Sequence, residues 1–376
     1  MIQSERWKYT SLRALDGFPF SAPKAKPVSD VKIPVLPFET SGRLVFVDGF
    51  FVETLSDFSS PITLNMIEAF FPDENPFMKH LPEALSEGIE ITVESGIEIA
   101  KPIDLVFLFT DNAEDCALHM HHRVHLKSHA NASFVIRYLG DTKESYVANI
   151  HTVFDLEAAS KATLYHIQLQ GEKAYHVENI RFNQSKDSEM TVHTLTLGAL
   201  LTRIDMNAHY QAAHAQSHIY GVYHVSGRQH VDYHLDAEHF HPFGRTTQHV
   251  KGCVDDNARA VFNGRVSVKP GAVKAYSEQS HHGLLLSRRA RIDAKPELEI
   301  DCDDVQCRHG ATVGALRADA LFYLMSRGFN ESQAKATLQL AHASSLIDEI
   351  SVPEIREYMH HTLMSVAFKQ EAACLI

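Results

Sequence analysis

The chain has 376 residues, 44% of them hydrophobic and 22% charged, the balance of a folded globular protein with room for one large core or for two to three modest domains. A formal net charge of −12 argues against nucleic-acid binding, which needs clustered Lys and Arg to neutralise phosphates. Cys116, Cys253, Cys302, Cys307 and Cys374 include no C-x-x-C pair, and no run approaches the roughly 20 apolar residues of a membrane span; a soluble protein of the reducing cytoplasm is expected.

Residues 1–88 gather most of the prolines, including the stretch "FPFSAPKAKPVSDVKIPVLP". The segment "SSPITLNMIEAFFPDENPFMKHLPEAL" predicts one or two helices divided at Pro72 and Pro76, and the zone as a whole reads as a helical, Pro-rich appendage.

Residues 89–314 change to short alternating runs such as "IEITVESGIEI", "ASFVIRYLG", "ATLYHIQLQG", "MTVHTLTLG" and "SHIYGVYHVSG". Period-two hydrophobicity predicts strands. Small or polar clusters precede the later runs, and their markers Asn131, Ser160, Asp187 and His214 recur 29, 27 and 27 residues apart. A recurrence of this kind suits a stacked β solenoid, and a sandwich or barrel fits the texture equally well. With no long helical pattern intervening, a doubly wound α/β sheet is disfavoured.

Within this zone "LHMHHRVHLKSHA" places Leu118, Met120, Val124 and Leu126 on one strand face and His119, His121 and His125 on the other. Three imidazoles on one face can ligate zinc or iron, which raises the alternative of a stand-alone metal-dependent enzyme; a solvated polar face is the plainer reading of so His-rich a chain, with 25 histidines in all. His239 and His241 in "EHFHPF" repeat the spacing. Asp255 with Asp256, and Asp301, Asp303 and Asp304, could serve glycosidic chemistry, but they lie where turns are expected and Asp is a turn former. Nucleotide loops of the G-x-x-x-x-G-K-[ST] or G-x-G-x-x-G kind are absent.

Near the end of the β zone stands "CRHGATVG", residues 307–314. Cys307 and His309 are two apart and share a face of a strand, with Arg308 pointing away and Cys302 on the opposite face of a straight strand. An iron–sulfur cluster generally takes four protein ligands. The pair is therefore either structural or half of a site that a second chain completes.

Residues 315–376 are helical. "RADALFYLMSRG" stops at Gly328, and Asn330 with Gln333 has capping-box spacing for a helix to about Asp348. Ser351 with Glu354 repeats the signal, and Ile355, Met359, Leu363 and Val366 form one apolar stripe.

The stretch "LLLSRRARIDAKPELEIDCDDVQCRHGATVGALRADALFYLMSRG" resembles the C-terminal signature of the SufB/SufD family, scaffold subunits of the SUF iron–sulfur cluster assembly machinery. "ERWKYTSL", "RLVFVDGFFVETLSD" and "PFMKHLPEALSEGIEITVESGIEIAKPI" extend the likeness, and "HGATVG" without an N-terminal cysteine cluster is similar to the SufD branch. The resemblance implies a right-handed parallel β-helix flanked by N- and C-terminal helical regions. It implies a non-enzymatic subunit that joins a SufB homologue through the end coils and the ATPase SufC through its C-terminal helices, where Leu321, Phe322, Leu324, Met325, Leu338 and Ala341 are the docking candidates. It implies also that His309, with Cys307 as the less certain ligand, meets a nascent cluster shared with SufB. Two neighbouring ligands are too few for the isolated chain to hold a cluster stably, and the open edge of a last coil would allow a homodimer when the chain is alone.

Overall fold

In an extended chain successive side chains point to opposite faces, so alternating segments bury one face only if another layer covers it. Here that layer is the same chain, coiled on itself. The structure is a computed structural model that describes residues 7–24, 31–58, 61–67, 71, 88–140 and 142–367. One sheet holds β1 (Gly42–Val47), the short β2 (Phe50–Phe51) and β3 (Asp57–Phe58), then β6 (Ile103–Leu108), β8 (Asn131–Leu139), β10 (Lys161–Leu169), β12 (Glu189–Thr196), β14 (Gln216–Val225), β16 (Arg245–Val254), β18 (Tyr276–Leu285) and β20 (Gln306–Ala315). The other holds β4 (Ile62–Ile67), β5 (Gly88–Val93), β7 (Ala117–Leu126), β9 (Tyr146–Leu156), β11 (Ala174–Gln184), β13 (Leu201–Tyr210), β15 (His230–His239), β17 (Arg259–Val268) and β19 (Arg291–Ile300).

From β7 onward every strand pairs in parallel with the strand two before it. That connectivity decides between the two β architectures, because sandwiches are built from antiparallel strands. The chain is a β-solenoid.

The repeat markers fall at or beside the coil corners. His129, Ala159, Asp187, His214, Phe243 and Lys274 all have φ between 56° and 63°. A left-handed non-glycine residue costs about 1–2 kcal/mol. Each corner offsets this by donating its N–H to the neighbouring coil, as Ala159 does to Lys186 and Phe243 to Val273, both at 2.9 Å.

Inward residues stack in ladders. Phe134, Phe154 and Phe182 follow one another at 5.8 Å between ring centroids, and Phe46, Phe107 and Tyr138 stack at 4.6 and 4.9 Å. Outside, Trp7, Leu12 and Leu15 cover Ala117, Val147, Tyr175, Val177 and Leu201. The Trp7 ring lies 4.0 Å over the Arg203 guanidinium, which Asp205 and Asp232 pair.

The N-terminal zone departs from expectation. β1 runs parallel to β6, so the sheet begins well before residue 89. Ile62–Ile67, expected to open a helix, is a strand antiparallel to β5; its β-branched and apolar residues gain a ladder there that an isolated short helix lacks. Most of the remaining predicted helix lies outside the described residues, and among those described the zone contains 3-10 turns at Arg13–Leu15 and Glu53–Leu55 rather than α-helices.

The C-terminal zone forms α1 (Ala318–Ser326), α2 (Glu331–Ile347) and α3 (Pro353–Ala367). α1 ends in a Schellman motif: Gly328, at φ 98°, donates to Met325 and Phe329 donates to Leu324. The Asn330–Gln333 capping box forms as expected. The predicted stripe packs inward: Ile355, Met359 and Leu363 join Leu346, Ile347 and Ile350 against Tyr165, Ile167, Leu195 and Val222 on the outer face of the sheet.

Candidate site at the terminal coil

The solenoid stops at β19 and β20, each the last strand of its sheet, so among the described residues each leaves one edge without a partner strand. Register places Cys307 opposite Ser277, His309 opposite Gln279, Ala311 opposite His281 and Val313 opposite Gly283. Cys307 is half-buried and packs against the core cluster, which fixes the inward face of β20; His309, two residues on, shares that face and is exposed. Arg308 points outward and pairs with Glu278 at 2.5 Å. The inward pairing of Cys307 and His309 holds as read from spacing.

Cys302 differs from its expected placement on the opposite face. The break between β19 and β20 re-aims the chain, and Cys302 packs against the same core cluster as Cys307. Partial burial pushes the Cys307 thiol above its ordinary range, favouring the neutral form until a metal or cation displaces the proton.

Beneath His309 the lumen is polar. Gln279 donates to Gln248 at 2.9 Å, and His281 lies 2.9 Å from the Tyr223 hydroxyl while stacking on Phe262 at 4.9 Å. The coil's outer side is open: a Cβ placed on Gly310 or Gly314 would meet nothing within 4 Å, and neither glycine has positive φ. The chain's own packing does not require glycine at either position. Val313 and Ile300 keep 44% and 43% of their surface exposed at this end.

Among the described residues no third metal-ligating side chain converges on Cys307 and His309. The terminal pair offers two ligands on an open edge.

The other sequence candidates lie elsewhere. His119 and His121 are buried rather than solvated, because Phe71 covers them at 6.0 and 6.4 Å between ring centroids. They do not form a ligand set with His125: His119 Nδ1 lies 2.8 Å from the Asn149 amide, His121 stacks on His151, and His125 bonds Glu157 at 3.0 Å. Burial lowers His121 to about 4. His239 bonds Thr246 at 2.7 Å. Asp256 accepts from the Gly227 N–H and Asp304 pairs with Lys274, so these acids do turn and corner work. Of the docking candidates, Phe322 and Met325 are exposed at 74% and 43%, Ala341 is exposed, and Leu321, Leu324 and Leu338 are half-buried.

Two features escaped the sequence reading. His342 on α2 and Thr312 on β20 both bond His282, joining helix and terminal strand through residues far apart in the chain. Inside the solenoid, His166, His176 and Glu178 converge. Their signal was present: each occupies an inward position by alternation, in strands whose inward faces also carry apolar residues such as Leu164, Ala174 and Ile180.

The family described as the SUF system FeS cluster assembly, SufBD core domain, matches residues 108–342, most of the solenoid and part of α2. The chain belongs to the SufBD family. A SufBD family protein of Synechocystis is 29% identical over 94% of this chain and 84% of its own length. The iron–sulfur cluster assembly protein SufD of Escherichia coli is 29% identical over 92% of this chain and 84% of its own. A SufBD family protein of Mycobacterium leprae is 25% identical over 94% and 87%. This SufBD chain is thus a SufD-type member with a role in iron–sulfur cluster assembly. Among its described residues no helix is long and apolar enough to cross a membrane.

Proposed function

We propose that this chain is a non-catalytic scaffold subunit of a cytoplasmic SUF complex. Its terminal coil docks on the end coil of a SufB homologue, α1 and α2 hold the ATPase SufC, and the nascent cluster is the cargo assembled where the two scaffold chains meet. The observation that carries this reading is the two-ligand site on an open edge. His309 and Cys307 face the uncovered end of the lumen on a strand with one unpaired side. A partner strand would satisfy the free N–H and C=O groups and bring the missing ligands together with it. Glycines at 310 and 314, where an added Cβ would meet nothing within 4 Å, suit the close approach of another backbone. The same edge would allow self-pairing when the chain is alone.

The docking reading for the helices rests on burial. α2 and α3 spend their apolar faces on the sheet, whereas Phe322, Tyr323 and Met325 on α1 remain outside at 74%, 57% and 43%. Co-expression with SufB and SufC homologues tests the whole proposal. A ternary complex is expected, and it should lose SufB but keep SufC when a bulky residue replaces Gly310. A complex indifferent to both the terminal coil and α1 would remove the reading.

A further inference from the structure

Inside the solenoid, the two strands of one coil bring a carboxylate and two imidazoles to one point. The inward series of β10 runs Leu164, His166, Gln168, and that of β11 runs Ala174, His176, Glu178, Ile180. The side chains of His166, His176 and Glu178 are all wholly buried. Glu178 Oε2 lies 2.7 Å from His166 Nε2 and 3.1 Å from His176 Nε2, and Tyr138 donates its hydroxyl to Glu178 Oε1 at 2.8 Å. Among the described residues this is the one group of three metal-ligating side chains whose donor atoms all lie within 4.8 Å of one another.

A buried carboxylate calls for a compensating cation. Glu178 has no Lys or Arg partner among the described residues; its ion pairs are with the two imidazoles alone. Both Nδ1 atoms are buried without hydrogen-bond partners. In the metal-free chain the Glu178 carboxylate, an acceptor, holds the ring proton on each Nε2; entry of a cation moves that proton to the unpartnered Nδ1 and leaves each Nε2 to present a lone pair. The 3.1 Å separation matches a coordination edge and the 2.7 Å one needs to open by a few tenths of an ångström: metal–ligand bonds of about 2.1 Å place adjacent ligands about 3.0 Å apart in an octahedron and about 3.4 Å apart in a tetrahedron. Two imidazoles with one carboxylate select divalent first-row ions such as Fe²⁺ and Zn²⁺ over Mg²⁺ or Ca²⁺, which take oxygen ligands.

We propose that His166, His176 and Glu178 form an internal site for one divalent first-row ion, iron or zinc, tying β10 to β11 inside the lumen. Tyr138 orients the carboxylate through Oε1. The site is independent of the terminal coil and of the function proposed above.

The test uses the full-length protein. Metal content is measured as isolated from cells supplied with iron or with zinc, which separates the two ions. The protein is then unfolded with chelator and refolded with Co²⁺. The expected result is one ion per chain retained through gel filtration, with Co²⁺ giving ligand-field absorption. Glu178→Gln and His166→Asn should lower retained metal at least tenfold, whereas the double change Cys307→Ser with His309→Ala should retain it. X-ray absorption of the wild-type ion should show two imidazoles and oxygen, a readout that stands even if a buried variant fails to fold. Absence of metal in wild-type protein both as isolated and after refolding with Co²⁺, a thiolate in the ligand shell, or full retention by folded Glu178→Gln would overturn the proposal, leaving a hydrogen-bonded carboxylate and nothing more.

Discussion

His342 on α2 donates from Nε2 to the backbone carbonyl of His282 at 3.0 Å. His282 Nδ1 in turn lies 2.7 Å from the Thr312 hydroxyl on β20, the strand that carries His309. The helical region and the terminal coil are thus bonded through one residue of β18. A load applied to α2 has a direct route to the open edge.

Replacing His342 by Phe removes the donor and keeps an apolar ring. A lost hydrogen bond of about 1 kcal/mol corresponds to about fivefold more frequent local opening. Amide hydrogen exchange across residues 306–315 should quicken by that order, while exchange in β8 to β12 stays unchanged. Equal exchange in both regions would show that the route carries no load.

His309 is exposed, and no hydrogen bond or ion pair holds its side chain among the described residues. His309→Ala should leave the thermal midpoint within about 1 °C, as expected for an exposed substitution. Cluster assembly on the reconstituted complex should fall at least tenfold. Cys307→Ala, which trims a half-buried side chain packed on the core, should cost about 1 kcal/mol in stability and reduce assembly less.

The helices separate docking from packing. Phe322→Asp on α1 should change stability by less than about 0.5 kcal/mol and weaken ATPase binding at least tenfold in a pull-down or titration. Met359→Ala on α3 creates a cavity against the sheet and should cost about 2–5 kcal/mol by denaturant titration.

Stability should fall as pH drops below neutral. Burial lowers His121, His151, His193 and His239 to about 4. Between about pH 6.5 and 4 the unfolded chain therefore binds protons that the folded chain does not, so their contribution is full above about pH 6.5 and is lost progressively toward pH 4. Each such group changes stability by at most about 1.4 kcal/mol per pH unit in that window. Denaturant midpoints at pH 7.5, 6 and 5 should decline in order; a flat profile would contradict neutral burial.

The strands, the coil repeat, the Gly328 stop and the Asn330 cap were legible because each depends on residues close in sequence. So was the shared face of Cys307 and His309, which alternation alone dictates. The strand at Ile62–Ile67 was missed because its apolar residues suit either element, and pairing with β5 decides. The burial of His119 and His121 was missed because Phe71, the residue that covers them, lies nearly 50 positions upstream in the sequence.

Local periodicity by itself determined that residues 89–314 would form short strands with one apolar face and that helices would follow them, since alternation and capping act over a few residues; parallel pairing between strands decided that they stack as coils. Only the tertiary structure decided which coil stays open and that His282 lies between His342 and Thr312. It also brought Glu178 on β11 to His166 on β10. Those relationships follow from inter-coil register and from where the helices dock, and both are set by packing between segments that the sequence keeps apart.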